Sequence, residues 1–207
     1  ALLSKLKNPR FAYIAPTFKQ AKSIAWDYMK QFTAKIPHTK FNETELRVDL
    51  PNGSRITLLG SESPDGLRGI YLDGCVIDEY ANVNSKLFPE IIRPALSDRK
   101  GYCVFIGTPM GMNNNFYELY QHAQGAEDWF NYKAKASDTK IVDEDELVKA
   151  KEVMGEKKYQ QEFECDWIAN IEGAVYGDVI GKLDDDKQLT RVPYDPALPV
   201  STAWDLG

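Results

Sequence analysis

The 207-residue sequence lacks any run of about 18 consecutive apolar residues, so no segment has the length and apolarity of a membrane-spanning helix. Its opening, Ala1-Leu-Leu-Ser-Lys5, has neither a methionine nor the charged, apolar and cleavage regions of a signal peptide. The expectation is an interior fragment of a longer polypeptide. Cysteine is scarce: Cys75, Cys103 and Cys165 are odd in number and far apart, which suits neither a disulfide framework nor a C-x-x-C metal site. Cys75 and Cys103 lie inside apolar runs, where a thiol acts as a small hydrophobe, and a reducing, intracellular compartment is the expectation. The two histidines, His38 and His122, each stand alone in polar stretches and are assigned no metal. Positive charge is not in excess, since 25 basic side chains face 31 acidic ones for a net charge of −6. That argues against a histone-like or basic-arm protein and leaves room only for a local basic surface. There is no internal repeat and no low-complexity tract.

What is present can build a core. Hydrophobic residues make up 43% and aromatics 12%, which excludes wholesale disorder, and the length fits one domain or one domain plus the start of another. Charge is uneven: residues 1–70 hold 11 Lys/Arg against 6 Asp/Glu, whereas 71–207 hold 14 against 25. Residues 1–7 read as the tail of a helix. Phe11-Ala-Tyr-Ile-Ala15, ended by Pro16, has the pattern of a buried strand. Thr17 is placed to cap a helix over 18–35, with Ala21, Ile24, Ala25, Tyr28, Met29 and Phe32 spaced three and four apart. Asn52-Gly53 between Leu46–Leu50 and Arg55–Leu59 predicts a hairpin. Gly74–Ile77 and Gly101–Ile106 read as buried strands, 84–97 and 113–124 as helices, Trp129–Ala134 as a strand, and 143–164 as two helices broken near Gly155. Val200–Gly207 reads as a further strand, and Pro-rich 191–199 as a candidate boundary. Strands alternating with helices over the first 135 residues imply βαβ units and a mostly parallel sheet flanked by helices, an α/β fold.

Four constellations carry possible chemistry. In Cys75-Val-Ile-Asp78-Glu79 an apolar strand ends in two acids. The carboxyl end of a buried parallel strand lines the ligand crevice of open α/β sheets. A nucleoside triphosphatase needs two different acids there, one to order the Mg²⁺ shell and one to orient or deprotonate the attacking water. Adjacent strand residues point to opposite sides, so the pair serves two roles if the chain leaves regular pleating there. The bland reading is a strand that exits into solvent. Gly107-Thr108-Pro109, one crossover later, puts a hydroxyl at a strand tip where it can sense a γ-phosphate; it is also an ordinary turn sequence. Arg68, in Ser63-Pro-Asp-Gly-Leu67-Arg68-Gly69, lies on a glycine-flanked loop from which a guanidinium can reach a transferring phosphate, track a DNA phosphate or simply face solvent. Asp205, in Ala203-Trp204-Asp205-Leu206-Gly207, is placed to bind a divalent metal in a two-metal nuclease, or is structural. No G-x-x-x-x-G-K-[ST] occurs in the 207 residues. Without that backbone cradle and lysine, tight nucleotide binding by this chain alone is not expected, and the missing piece is expected upstream of Ala1.

In order, these signals resemble the large terminase subunit of tailed bacteriophages. Tyr13-Ile-Ala-Pro-Thr-Phe-Lys-Gln-Ala-Lys22 is similar to the segment after that family's P-loop helix, Gly66-Leu-Arg-Gly69 to its arginine loop, and Val76-Ile-Asp-Glu-Tyr80 to its Walker B motif. Phe105-Ile-Gly-Thr-Pro109 resembles its coupling motif, Gln161–Cys165 through Ile171–Tyr176 its lid-to-nuclease passage, and Ala203–Gly207 the first strand of its RNase H-like nuclease. The resemblance implies a P-loop ATPase core of additional-strand type over 1–138, a small helical lid over 139–170 and a truncated nuclease domain over 171–207. It implies ATP and Mg²⁺ as cofactors, with Mg²⁺ or Mn²⁺ for the nuclease. Asp78 would hold the Mg²⁺ shell, Glu79 activate water, Thr108 couple hydrolysis to movement, Arg68 act as an arginine finger and Asp205 ligate a nuclease metal. Implied partners are double-stranded DNA, the portal protein, the small terminase subunit and further copies in a homo-oligomeric ring, with no membrane, in the host cytoplasm. The P-loop and most of the nuclease domain are absent, so this fragment alone is expected to be inactive in both reactions. The alternatives are a superfamily-2 helicase-like ATPase, for which nothing here supplies a second motor domain, and a non-catalytic DNA- or capsid-binding module built on the basic, aromatic-rich first third.

Overall fold

The computed structural model describes residues 7–167, together with Leu183, Lys187, Gln188 and Ala197. Contacts divide the chain into Ala1–Ala169 and Asn170–Gly207, and the strands and helices of the sheet belong to the first unit. The expected strand at Val200–Gly207 and all but Lys7 of the helix tail expected at residues 1–7 lie outside the described residues.

Strand β1 spans Arg10–Ala15. Pro16 ends it, and the Thr17 side chain then accepts the Gln20 N–H at 3.2 Å, capping α1, Phe18–Ala21. A π-helical turn, Lys22–Trp26, joins α1 to α2, Asp27–Thr33. This helix exists where the periodicity placed it, but its buried face differs. Ala21, Trp26 and Thr33 are buried, whereas Ile24, Tyr28 and Phe32 are 44%, 62% and 75% exposed. The wide turn adds a residue and shifts the downstream face relative to a 3.6-residue reading. Trp26 thereby reaches Leu46, Val48 and Leu58, and its indole N–H finds Glu43 at 2.7 Å.

Strands β2, Lys40–Asn42, β3, Arg47–Asp49, and β4, Arg55–Gly60, form an antiparallel meander; β2 was not expected. The β3–β4 hairpin forms where Asn52-Gly53 predicts one, but its register, Val48 opposite Ile56, closes a three-residue loop over 51–53 with Gly53 at φ 81°, not a two-residue Asn-Gly turn. The 3₁₀ turn Pro64–Leu67 precedes β5, Gly74–Ile77. After it come a 3₁₀ turn at Tyr80–Asn82, a π-helical segment at Leu87–Ile92, α3, Arg93–Ser97, and β6, Tyr102–Phe105. Helices α4, Asn115–Ala123, α5, Ala136–Thr139, α6, Glu144–Met154, and α7, Glu156–Glu164, complete the unit, with α6 and α7 broken at Gly155 as expected.

The sheet order is β2-β3-β4-β1-β5-β6, and β4, β1, β5 and β6 are parallel, the α/β architecture the alternation implied. Successive strand residues point to opposite faces, so Ile14 joins Ile77, Leu87, Ile92 and Leu96 on one side while Ala15 joins Ala21, Trp26, Val48 and Leu58 on the other. Cys75 and Cys103 are register partners whose sulfurs lie 3.3 Å apart, with Cys75 buried as a small hydrophobe.

Trp129–Ala134 is not a strand. Trp129 stacks on Phe105 at 5.9 Å, and the Asn131 side chain donates to the Ala123 carbonyl at 3.3 Å. These contacts, and not ladder bonds to β6, hold the segment. Among the described residues the outer edge of β6 therefore stays unpaired, and a groove of about 1150 Å³ runs between residues 102–109 and 128–134.

Gly101 is required by space. A Cβ on Gly101 would come within 2.8 Å and 2.9 Å of the Leu72 and Asp73 carbonyl oxygens and 2.7 Å of a Leu96 methyl. Backbone atoms cannot give way cheaply, so Gly101→Ala is expected to destabilise the fold by about 1–3 kcal/mol, read by urea denaturation.

Candidate functional site

β5 sits between β1 and β6, with Ile77 completely buried, so whatever follows it emerges at the carboxyl ends of three parallel strands. Asp78 and Glu79 follow it. The Asp78 N–H donates to the Ile14 carbonyl at 2.8 Å, which extends the β1–β5 ladder by one bond. At Glu79 the ladder stops: its N–H turns back to Asp78 Oδ1 at 2.9 Å, and its backbone is left-handed, φ 50° and ψ 45°. The chain thus leaves regular pleating at the acidic pair, the condition under which two adjacent acids can take different roles. A non-glycine residue in this conformation costs roughly 1–2 kcal/mol. The next residue holds it in place. Tyr80 is buried, donates its N–H to the Ile106 carbonyl at 3.0 Å, and packs edge-on against Phe105 and Phe116 at 4.8 Å and 5.9 Å. Burial pushes its phenol up to about 12.

The Asp78 carboxylate accepts a bond on each oxygen, from the Glu79 amide on Oδ1 and from the Tyr13 hydroxyl on Oδ2. Tyr13 is raised above the ordinary phenol value, first by burial and then by its bond to this carboxylate. The Glu79 carboxyl is raised by burial, next by the charge of Asp78 and then by that of Glu162 on α7. Gly107-Thr108-Pro109 follows β6 and lies against the pair: a Cβ on Gly107 would be 3.1 Å from the Tyr80 nitrogen and 3.3 Å from Glu79 Cα. Glycine permits that close approach and brings the half-buried Thr108 to the same end of the sheet.

Helix α7 reaches this end too, a contact that no local pattern signals. Buried Gln161 donates its side-chain N–H to the Pro109 carbonyl at 2.7 Å across 52 residues. Farther along, Trp167 packs against Phe116, Tyr117 and Tyr120 at 5.3 Å, 5.3 Å and 5.4 Å.

The structure brings Asp78, Glu79 and the Thr108 turn together. Arg68 stands at the end of the Pro64–Leu67 turn, half-exposed and paired with Asp65 at 2.8 Å and Glu90 at 3.4 Å. Asp205 lies outside the described residues. Among the described residues no group of three or more His, Cys, Asp or Glu side chains is arranged to hold a metal. Asp78 and Glu79 are hard oxygen donors, and a pair of carboxylates suits Mg²⁺, which keeps several waters and takes its remaining ligands from substrate phosphates. Among the described residues no helix is long and apolar enough to cross a membrane.

Residues 2–178 match the family model described as terminase large subunit, T4-like-virus type, N-terminal. The large terminase subunits of Thermus phage G20c and Thermus virus P23-45 are each 30% identical over 126 residues, covering 52% of this chain. The match spans 26% of the length of these two relatives. In structure, the chain resembles the ATPase domain of the Thermus phage P74-26 large terminase, with a TM-score of 0.65 and 22% identity over 78% of this chain and 77% of that one. The large terminase of a further bacteriophage, a thermophilic one, gives a TM-score of 0.66 at 15% identity, over 79% of this chain and 42% of that one. At these identities the solved structures show a shared fold.

Proposed function

The chain belongs to the terminase large-subunit family of the T4-like-virus type, and from that premise we propose that it is part of a viral DNA-packaging motor that hydrolyses ATP to drive DNA into a prohead. The observation that carries this reading is the acidic pair at the carboxyl end of buried β5, folded against the Gly107-Thr108-Pro109 turn. The large terminase of the thermophilic bacteriophage has been solved with ADP and with ATP-γ-S, and the same class of ligand suits the open end of this sheet.

In this mechanism Asp78 would hold the hydration shell of Mg²⁺, and the ion would supply charge neutralisation for the substrate phosphates. Glu79 orients the attacking water and accepts its proton. Its partly buried carboxyl, raised by its surroundings, is a stronger base than a solvated one. Thr108 senses the γ-phosphate, and the Gln161–Pro109 bond ties that turn to α7, so displacement of the turn is passed to the helical lid at 139–170. A P-loop would supply the phosphate cradle, and among the described residues the outer edge of β6 is unpaired, with room in the groove beside it for one more parallel strand. Arg68 completes the site as an arginine finger from a neighbouring copy in a ring.

Residues 171–207 begin a metal-dependent nuclease domain that cuts concatemeric DNA, with Asp205 binding Mg²⁺ or Mn²⁺. Double-stranded DNA, portal protein and small terminase subunit are the partners, in the host cytoplasm. ATP hydrolysis by the full-length protein, with and without Glu79→Gln, tests the motor reading. The nuclease is tested separately: Asp205→Ala is expected to lower metal-dependent DNA cleavage by about 10²-fold and leave ATPase unchanged. Unchanged cleavage would remove Asp205 from the metal site.

A further inference from the structure

We propose that Tyr13 is a positioning residue for Asp78, its hydroxyl setting which lone pairs of that carboxylate remain for the magnesium–triphosphate side. The inference rests on the reading of Asp78 as the residue that holds the Mg²⁺ shell.

Tyr13 stands on β1 opposite Val76 of β5, so its side chain shares a sheet face with Val76 and with the residue two further on, Asp78. The bond from the Asp78 amide to the Ile14 carbonyl holds the two backbones in register at this point. Among the described residues, the donors to the Asp78 carboxylate are the Tyr13 hydroxyl on Oδ2 and the Glu79 amide on Oδ1. No lysine or arginine among the described residues pairs with it. The carboxylate is therefore oriented by two neutral donors rather than by a cation that would compete with a metal for its charge.

The placement of these donors matters. β1 and β6 flank β5 on opposite sides. The phenol holds Asp78 from the β1 side, while the Gly107–Pro109 turn approaches the pair from the β6 side. One donor per oxygen fixes the plane of the carboxylate and leaves a further lone pair on each oxygen. A phenylalanine would fill the same half-buried space, as Phe11 does two residues earlier on the strand, and would need no partner for a desolvated hydroxyl. The hydroxyl thus contributes orientation rather than packing. Groups that orient a metal-binding side chain typically account for about 10–100-fold in metal affinity.

The test uses the full-length protein and Tyr13→Phe, with calorimetric titration of Mg²⁺ in the presence of a non-hydrolysable ATP analogue, and nucleotide binding in EDTA measured alongside. Tyr13→Phe is expected to weaken Mg²⁺ binding by about ten-fold, raise the Mg²⁺ concentration for half-maximal ATPase in proportion, and leave metal-free nucleotide affinity and melting temperature unchanged. Unchanged Mg²⁺ affinity overturns the proposal. So does an equal loss of metal-free nucleotide binding, the mark of a purely structural role. Asp78→Asn, run in parallel, separates the two readings. If it weakens Mg²⁺ binding and Tyr13→Phe does not, only the role of Tyr13 falls. If Asp78→Asn has no effect on Mg²⁺, the assignment of Asp78 falls and takes this inference with it.

Discussion

Glu79→Gln in the full-length protein is expected to lower ATP turnover by about 10²–10⁴-fold while changing ATP affinity by no more than about two-fold. Glutamine keeps the length and shape of the side chain and can occupy the same left-handed backbone, so the turn into Tyr80 and its bond to the Ile106 carbonyl should persist. What it loses is a carboxylate able to take a proton from water. The same variant carries a stability signature of known sign. The Glu79 carboxyl is raised in the folded protein, chiefly by burial and then by Asp78. Below the ordinary carboxylate range both folded and unfolded chains hold the proton, and the group has no effect. As pH rises between the ordinary and the raised value, the unfolded chain ionises first and stability is lost; above that window the loss stays constant. A neutral glutamine avoids it, so at neutral pH the variant should melt no lower than the wild type and lose activity, the trade expected of a residue kept for chemistry. Full turnover in Glu79→Gln would take Glu79 out of the mechanism.

Arg68→Ala is expected to reduce hydrolysis by about 10³–10⁵-fold if the guanidinium stabilises charge on the transferring phosphate. In the isolated chain Arg68 pairs with Asp65 and Glu90 on an exposed surface. Such solvated pairs contribute little, so they do not hold the side chain against a better anion. Its ion-pair partners are Asp65 and Glu90, and a role in trans has a sharp consequence. An Arg68→Ala subunit still has Glu79, and a Glu79→Gln subunit still has Arg68. Mixing the two inactive proteins should restore hydrolysis at interfaces where each supplies what the other lacks. Absence of rescue at all mixing ratios would leave a role within the subunit or none.

Parts of this site were legible because they are local. Gly74–Ile77 and Tyr102–Phe105 are apolar runs bounded by glycine, and each is followed at once by the residues of interest, so strand, strand end and acidic pair could be read together. The β3–β4 hairpin was legible from Asn52-Gly53, although the turn that forms is the three-residue loop 51–53, in which Pro51 precedes the pair and Gly53 alone is left-handed. Other features were misjudged because two patterns competed. Trp129–Ala134 has the composition of a strand, yet across the groove from β6 it has no neighbouring strand among the described residues to pair with, and Trp129 stacks on Phe105. On the 18–33 helix, apolar residues line more than one face, and only the π turn at Lys22–Trp26 decides that Trp26 goes in while Tyr28 and Phe32 stay out.

By itself, then, the amino-acid order determined the α/β alternation, the acids at the end of β5, the glycine that lets the next turn lie close, and the likeness to large terminases. Each depends on residues within one element and its cap, where the chain's own geometry limits the outcomes. Tertiary structure alone decided that Tyr13 meets Asp78 across 65 residues, that Gln161 reaches Pro109 across 52, and that Arg68 faces Asp65 and Glu90. Such contacts arise from strand order and helix docking, which bury apolar surface over the whole sheet and bring polar groups together as a consequence; no short stretch of sequence contains that information.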